Sequence, residues 1–348
     1  MVRGYFYLVA SLMLSVYALI ELQYILTPMV FSVILFVVLR PLHKRWLRLV
    51  KIPLLAVLLT LLSMLIPLAA FVLFFSFQII DVVQNFPSIT NKVQAGIDQA
   101  FSWIGDLKII RNFDWSSSLE ENVSSGVAQA FDLVRVGIAE STQIFANVFL
   151  TFLYLLFLLL YHDGLRKWSS MIIGSAHSKW HDIISEIKSM IEHYLIGVFT
   201  VVVILSILNS LGLVAIGMQY AIFWGVLAGF LALIPYIGTA IGGAFPLLYA
   251  IATGSSWFQP VMVVILFGSI QFIEGNFITP KIVGNQVSLN PLTAIVSLVL
   301  GAAIWGLSGV VLAIPIAGVV RIVCSHFELL QPMSFVMGTA VSEYKESK

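Results

Sequence analysis

The residues whose side chains could bind a solute or an ion are concentrated between Glu274 and Pro291, in a stretch that apolar segments border on both sides. This stretch holds one acid, one lysine, three asparagines, two glycines and two prolines. Irregular, polar backbone at membrane depth persists only where protein or a water-filled cavity surrounds it. The stretch is therefore the first candidate for a site that binds a solute or an ion.

Glu274 is the leading functional residue of this stretch, because an ionisable side chain near membrane depth is costly and by default marks a substrate or ion path. We expect it to be a proton-coupling group; the alternative is an interfacial acid that caps the next segment or pairs with Lys281. Lys281 in turn either is that counter-ion or reaches the headgroups. The nearby amides either contact cargo or satisfy freed backbone groups and neighbouring helices; these are Gln271, Asn276, Asn285 and Asn290.

Two further apolar segments, 220–252 and 291–324, are interrupted by glycine and proline. Proline removes a backbone donor and clashes with the preceding turn, so each segment is either one bent helix or a hairpin. The choice decides which side of the membrane 274–291 faces. We expect gating or backbone-shaping roles for Pro235, Tyr236, Gly238, Thr239, Gly242, Pro280, Gly284, Pro291, Gly306 and Pro315.

Composition identifies the class of protein. The chain has 348 residues, of which 60% are hydrophobic and 10% charged, with a mean hydropathy of +1.02, whereas soluble domains carry about 25% charged residues. We therefore predict an all-α, polytopic membrane protein. The prediction includes about eight transmembrane helices, broken or re-entrant segments in the C-terminal half, and a helical extramembrane arm. The net charge of +1 argues against nucleic acid, and the single cysteine excludes an intramolecular disulfide. No cofactor or metal is expected.

The positions of the apolar and amphipathic segments predict the organisation of the chain. Five Lys/Arg and no acid lie in 40–51, which places that stretch in the cytoplasm by the positive-inside rule. Both termini are then expected to be cytoplasmic. The predicted parts are a three-span frame (1–80), an external amphipathic arm (81–142), a fourth span (143–161), a cytoplasmic amphipathic segment (162–193), a glycine-rich transport core (194–326) and a cytoplasmic tail (327–348).

Several of these motifs resemble one known family. The run 271–292 resembles the signature of the autoinducer-2 exporter family, and the glycine and proline block of 301–317 is similar to the next motif of that family. Leu233–Gly238 and Arg40-Pro41 resemble two more. The resemblance covers nearly the whole chain. It implies a permease of the bacterial inner membrane with about eight spans, in a family in which oligomers, autoinducer-2 export and sodium/proton antiport occur.

The sequence favours transport over catalysis. It contains no P-loop, no G-x-S-x-G and no H-E-x-x-H, so we expect no enzyme. We predict a secondary transporter that exports a small polar solute resembling autoinducer-2, is coupled to a proton or sodium gradient, or does both. One alternative is an assembly protein that recruits partners through its external arm, and another is a lipid-handling or membrane-enzyme role. The expected partners are membrane lipids, the solute or ion, and further copies of the chain.

Overall fold

The computed structural model describes residues 2–84, 141–173, 177–234, 237–253, 258–283 and 287–338. These ranges are almost entirely helical. The helices are α1 (Val2–Glu21), α2 (Gln23–Val50), α3 (Pro53–Gln84), α4 (Ser141–Leu160), α5 (His162–Ile173), α6 (His177–Ala215), α7 (Ala221–Leu231), α8 (Ile237–Thr253), α9 (Phe258–Ile273), α10 (Pro291–His326) and α11 (Gln331–Met337). A π-helical turn (Glu274–Ile278) and a last turn (Thr279–Ile282) extend α9, and a 3-10 turn (Glu328–Leu330) precedes α11.

Among the described helices, five are long and apolar enough to cross a membrane, or six if the bent pair α4–α5 counts as one span. The prediction of an all-helical, multi-pass membrane protein is thus confirmed, whereas the expected number of eight spans is not. Part of the difference lies in 220–252, which forms two short helices. The first of them, α7, has 11 residues and a length of about 16 Å, half the thickness of the hydrocarbon core.

The chain divides into two compact units, which are described one at a time. The first comprises Met1–Ile66, Phe145–Phe199 and Ile282–Lys348. In it, α2, α3 and α4 pack around one apolar cluster of buried residues, Val57, Leu61, Leu155 and Leu159. A second cluster joins α2, α6 and α10 through buried Ile34, Ile183, Met190, Ile191, Leu312 and Ile322.

Helix α10 is a hairpin rather than a straight span. Trp305 and Gly306 leave helical geometry, and Gly306 has a φ of 57°, which favours glycine. Beyond this kink the chain folds back, so that a Cβ on Gly309 would overlap the carbonyl oxygen of Gly301. The indole Nε1 of Trp305 donates to the carbonyl oxygen of Leu19 at 2.9 Å, in the last turn of α1. This contact attaches the tip of the hairpin to a carbonyl that the end of α1 leaves without a helical partner.

Asn290 holds the start of this hairpin and the end of the described chain together. Its side-chain oxygen accepts from the Thr293 amide at 2.8 Å and caps α10. Its amide group donates to the carbonyl oxygens of Val336 (2.6 Å) and Gly338 (3.1 Å). Since the two arms of α10 return to the same end, Asn290 and α11 lie at one end of this unit.

The second unit comprises Pro67–Ile144 and Thr200–Lys281, of which 85–140 lie outside the described residues. Helices α7 and α8 form a second hairpin, in which a Cβ on Gly242 would lie 3.0 Å from the Cα of Ala228. Aromatic side chains from α3, α7 and α8 fill the core around Phe75, Phe223, Trp224 and Tyr249. Tyr249 donates its hydroxyl to Gln219 at 3.0 Å, which satisfies its polar end inside an apolar cluster.

Most of the predicted external arm, 81–142, lies outside the described residues. So do four predicted site residues, Pro235, Tyr236, Gly284 and Asn285. The segment boundaries drawn from the sequence therefore stay predictions.

Candidate functional site

A small cavity opens in the second unit among α6, the hairpin α7–α8 and α9. It brings together three residues that the sequence singled out, Thr239, Gln271 and Glu274. The lining is completed by Leu205, Asn209, Ala228, Ala232, Phe267 and Ile270. The interrupted segment 220–252 and the beginning of the 274–291 stretch thus contribute to the same site.

Glu274 begins the π-helical turn and is one of the residues that line the cavity. One carboxylate oxygen accepts from the Thr279 hydroxyl at 2.9 Å, and the other accepts from the Gln271 amide at 2.6 Å. Each oxygen keeps a further lone pair, since an ionised carboxylate offers about four acceptor positions. The carboxylate is therefore oriented by its own helix and still able to bind a cation or a proton.

The π-helical turn has a cause in the sequence. Pro280 has no backbone N–H, and its ring conflicts with the carbonyl of the residue four positions earlier, which is Asn276. The helix widens just before it, and the N–H of Thr279 bonds to the carbonyl of Glu274, five residues back. Such single π turns occur frequently at functional sites. Here the turn lies at the wall of the cavity.

Asn209 supplies an acceptor that the structure leaves unsatisfied. It is 4% exposed, lines the cavity, and its Oδ1 is buried without a hydrogen-bond partner. A buried polar atom of this kind costs free energy unless something binds it. From the sequence, Asn209 is a mid-span amide that either lines a path or bonds to a neighbouring helix, and the interhelical bond is the favoured alternative. It was therefore not among the predicted site residues, although Ser206, Asn209 and Ser210 form a polar stripe of i, i+3, i+4 spacing on an apolar helix, which points to a shared polar face.

Glycines bring the walls of the cavity together. Gly225 and Gly229, four residues apart on α7, lie against Ser210 and Ser206 of α6 so closely that a Cβ on either would overlap them. Such small residues allow membrane helices to approach closely. On the other side, a Cβ on Gly243 of α8 would lie 3.1 Å from the ring of Phe267 on α9. The shape of the site thus depends on backbone-to-backbone approach.

Other predicted site residues lie in different settings. Asn276 donates its amide to the carbonyl oxygen of Phe272 at 2.8 Å, a backbone-satisfying contact, and Lys281 is exposed at the end of the last turn. His181 pairs with Asp182, and His326 pairs with Glu186. Pro291 occupies the first turn of α10, Gly306 its kink and Pro315 its second arm.

The cavity suits a small, hard ligand. Its donor set consists of carboxylate, amide and hydroxyl groups, and oxygen ligands favour hard cations. It has room for about one water molecule, so a single ion fits and a sugar-sized solute does not. In this conformation, the site can hold a proton on Glu274 or one small cation beside it.

Many membrane transporters have broken helices around a central site. The comparison with known families agrees that this chain is a transporter. The chain belongs to the AI-2E transporter family, whose model, described as "AI-2E family transporter", matches residues 6–328.

Relatives in other bacteria carry related names. The chain is 29% identical over 142 residues to "Putative transport protein YrrI" of Bacillus subtilis (41% of this chain, 40% of that protein). It is 23% identical over 263 residues to "Putative transport protein YueF" of the same organism (70% and 67%). It is 25% identical over 194 residues to "AI-2 transport protein TqsA" of Escherichia coli (56% of each). The matches thus span between 40% and 67% of the lengths of these three relatives.

Proposed function

We propose that this protein is a secondary transporter that exports a small polar solute and couples the movement to a proton or sodium gradient at the cavity beside Glu274. Moving a solute, rather than converting it, is the function that this site supports best. A solute resembling autoinducer-2 is the leading cargo, because one relative is named an AI-2 transport protein. Its passage requires a wider opening than this conformation offers.

The observation that carries the proposal is that Asn209, whose Oδ1 is buried without a hydrogen-bond partner, lines the same cavity as Glu274. A sodium ion or a hydrated proton bound between these two residues would satisfy the unpaired oxygen. Removing an ion from water costs free energy, and a protein offsets that cost only where several oxygen atoms surround the ion. Asn209, Thr239, Gln271 and Glu274 supply oxygen-bearing side chains to the lining of this cavity, which lies beside the α7–α8 hairpin, and transporters with broken helices bind their coupling ions in such places.

The orientation we propose is the one predicted from charge, with the basic end of α2 in the cytoplasm of a bacterial cell. One contact supports it. Arg40 donates to the ring nitrogen Nε2 of His162 at 2.9 Å, so the two stretches that the sequence assigned to the cytoplasm lie at the same end of the first unit. The homo-oligomer stays a prediction from the sequence.

The proposal is tested by reconstituting the full-length protein into liposomes and imposing either a sodium or a proton gradient. A trapped pH dye follows proton movement, and radiolabelled sodium and hydroxylated solutes follow the cargo. We expect the protein to dissipate at least one gradient faster than protein-free liposomes do, together with movement of cargo. Rates equal to those of protein-free liposomes under both gradients would contradict coupled transport and favour an assembly role.

A further inference from the structure

A second site of interest lies in the first unit, where the basic end of α2 meets α5. Seven Lys/Arg and one acid, Asp163, lie in α5 and in residues 40–51, which form the end of α2 and its cap. The contact between Arg40 and His162 joins the two helices. His43 extends the junction to α3 through a 3.2 Å contact between its Nδ1 and the Thr60 hydroxyl. The basic residues are therefore held on a packed framework of three helices.

Helix α5 has the geometry of a helix that lies on a membrane surface. The chain bends by 69° between 145–160 and 162–168, at the point where the apolar span α4 ends. Leu165, Trp168 and Met171 share one face of α5, and they are 46%, 62% and 79% exposed. The other face carries Arg166 and Lys167. Apolar and aromatic side chains on one face with cations on the other are typical of interfacial helices.

Three cations lie near this junction. Lys44 lies one helical turn from Arg40 on α2, and Arg166 lies one turn from His162 on α5, and the contact between Arg40 and His162 brings the two helices together. Because Nε2 of His162 accepts from the Arg40 guanidinium, that ring nitrogen carries no proton, and the imidazole adds no positive charge. The positive charge at the junction therefore comes from Arg40, Lys44 and Arg166, with Asp163 as the neighbouring acid.

Two buried donors at the same end of α2 lack an acceptor. Nε of Arg40 and Nε1 of Trp46 have no hydrogen-bond partner. Buried N–H groups are rarely left unpaired. A phosphate group provides several acceptor oxygens and is a geometric match for a guanidinium fork.

We propose that the junction of α2 and α5 binds the phosphate of an anionic phospholipid headgroup, with Arg40, Lys44 and Arg166 as its ligands. The exposed apolar face of α5 favours a lipid over a soluble phosphate, since a membrane covers both the face and the site at once. Basic pockets between membrane helices are typical binding places for anionic headgroups. The site would fix the tilt of α4 and α5 in the membrane.

The test measures the thermal unfolding temperature of the purified full-length protein in detergent as short-chain phosphatidylglycerol is added. Phosphatidylcholine of the same chain length and inorganic phosphate serve as parallel additions. We expect phosphatidylglycerol alone to raise the unfolding temperature, in a saturable way. The exposed Lys44 allows a variant that keeps the fold, and Lys44→Gln is expected to raise the apparent dissociation constant about fivefold, since one surface cation contributes about 1 kcal/mol.

Lys167→Gln is the matched control, because it removes one exposed charge from α5 that is not among the proposed ligands. It is expected to leave the dissociation constant within about twofold of the wild type, because an exposed charge that does not contact the phosphate is screened by salt. An equal loss in both variants would show diffuse surface charge instead of a site. Stabilisation by inorganic phosphate as strong as by phosphatidylglycerol, or no stabilisation by the lipid, would also overturn the proposal.

Discussion

Glu274→Gln is expected to abolish gradient-driven flux in proteoliposomes while leaving the protein folded. The amide keeps an oxygen that can accept from Thr279, so the packing of the π-helical turn is retained. It loses the negative charge, which at about 4 Å from a cation contributes about 4 kcal/mol at an effective dielectric constant of 20. The expected fall in flux is about tenfold or more, measured as the initial rate of internal pH change under a sodium or proton gradient.

Glu21→Gln provides the control for this experiment. Glu21 is exposed at the end of α1 and lines no part of the cavity, and the chemical change is the same. Its flux should match that of the wild type. Equal rates in Glu274→Gln and Glu21→Gln, with both proteins folded, would remove Glu274 from the coupling mechanism and leave it as a structural acid.

The second large effect concerns the fold of α10. Gly309→Ala is expected to lower the unfolding temperature by more than about 3 °C, because the new Cβ overlaps the carbonyl oxygen of Gly301, a backbone atom that only a shift of the hairpin can move. Gly268→Ala, on the exposed length of α9 where a Cβ meets nothing, should leave the unfolding temperature unchanged or raise it, since alanine favours a helix more than glycine does. A Gly309→Ala protein that unfolds at or above the wild-type temperature would mean that the arms do not approach as described.

Several of the site residues could be predicted from the sequence, because they are recognised by their residue type and their position along the chain. Glu274 is costly wherever it is buried in a membrane, and its polar neighbours mark irregular backbone, so the stretch could be found without any fold. The role of Asn209 could not be found in this way. Whether a mid-span amide bonds to a neighbouring helix or is left to bind a ligand depends on where the α7–α8 hairpin and α9 lie, which is a tertiary property.

The structural role of Asn290, by contrast, can be predicted from the local sequence. An asparagine before a proline, with Thr293 three residues later, matches a helix cap, and the structure shows that cap together with the two bonds to 336–338. These contacts account for a structural role rather than cargo binding.

The sequence alone does not decide whether 220–252 and 291–324 are bent helices or hairpins, and the reason is different. In the sequence, Pro235 and Gly306 indicate where a helix breaks. Whether the chain then folds back depends on how closely the residues on the two sides of the break approach each other, as Gly301 and Gly309 do.

The central claim is that the cavity shared by Asn209 and Glu274 is where the coupling ion binds, and Asn209→Leu tests it most directly. Leucine has a similar size and replaces a buried oxygen that lacks a partner, so the unfolding temperature should stay the same or rise. The account predicts that this stable variant loses about tenfold or more of the gradient-driven flux, since an oxygen ligand is removed from the ion. A stable Asn209→Leu protein that transports as fast as the wild type under the same gradient would contradict it.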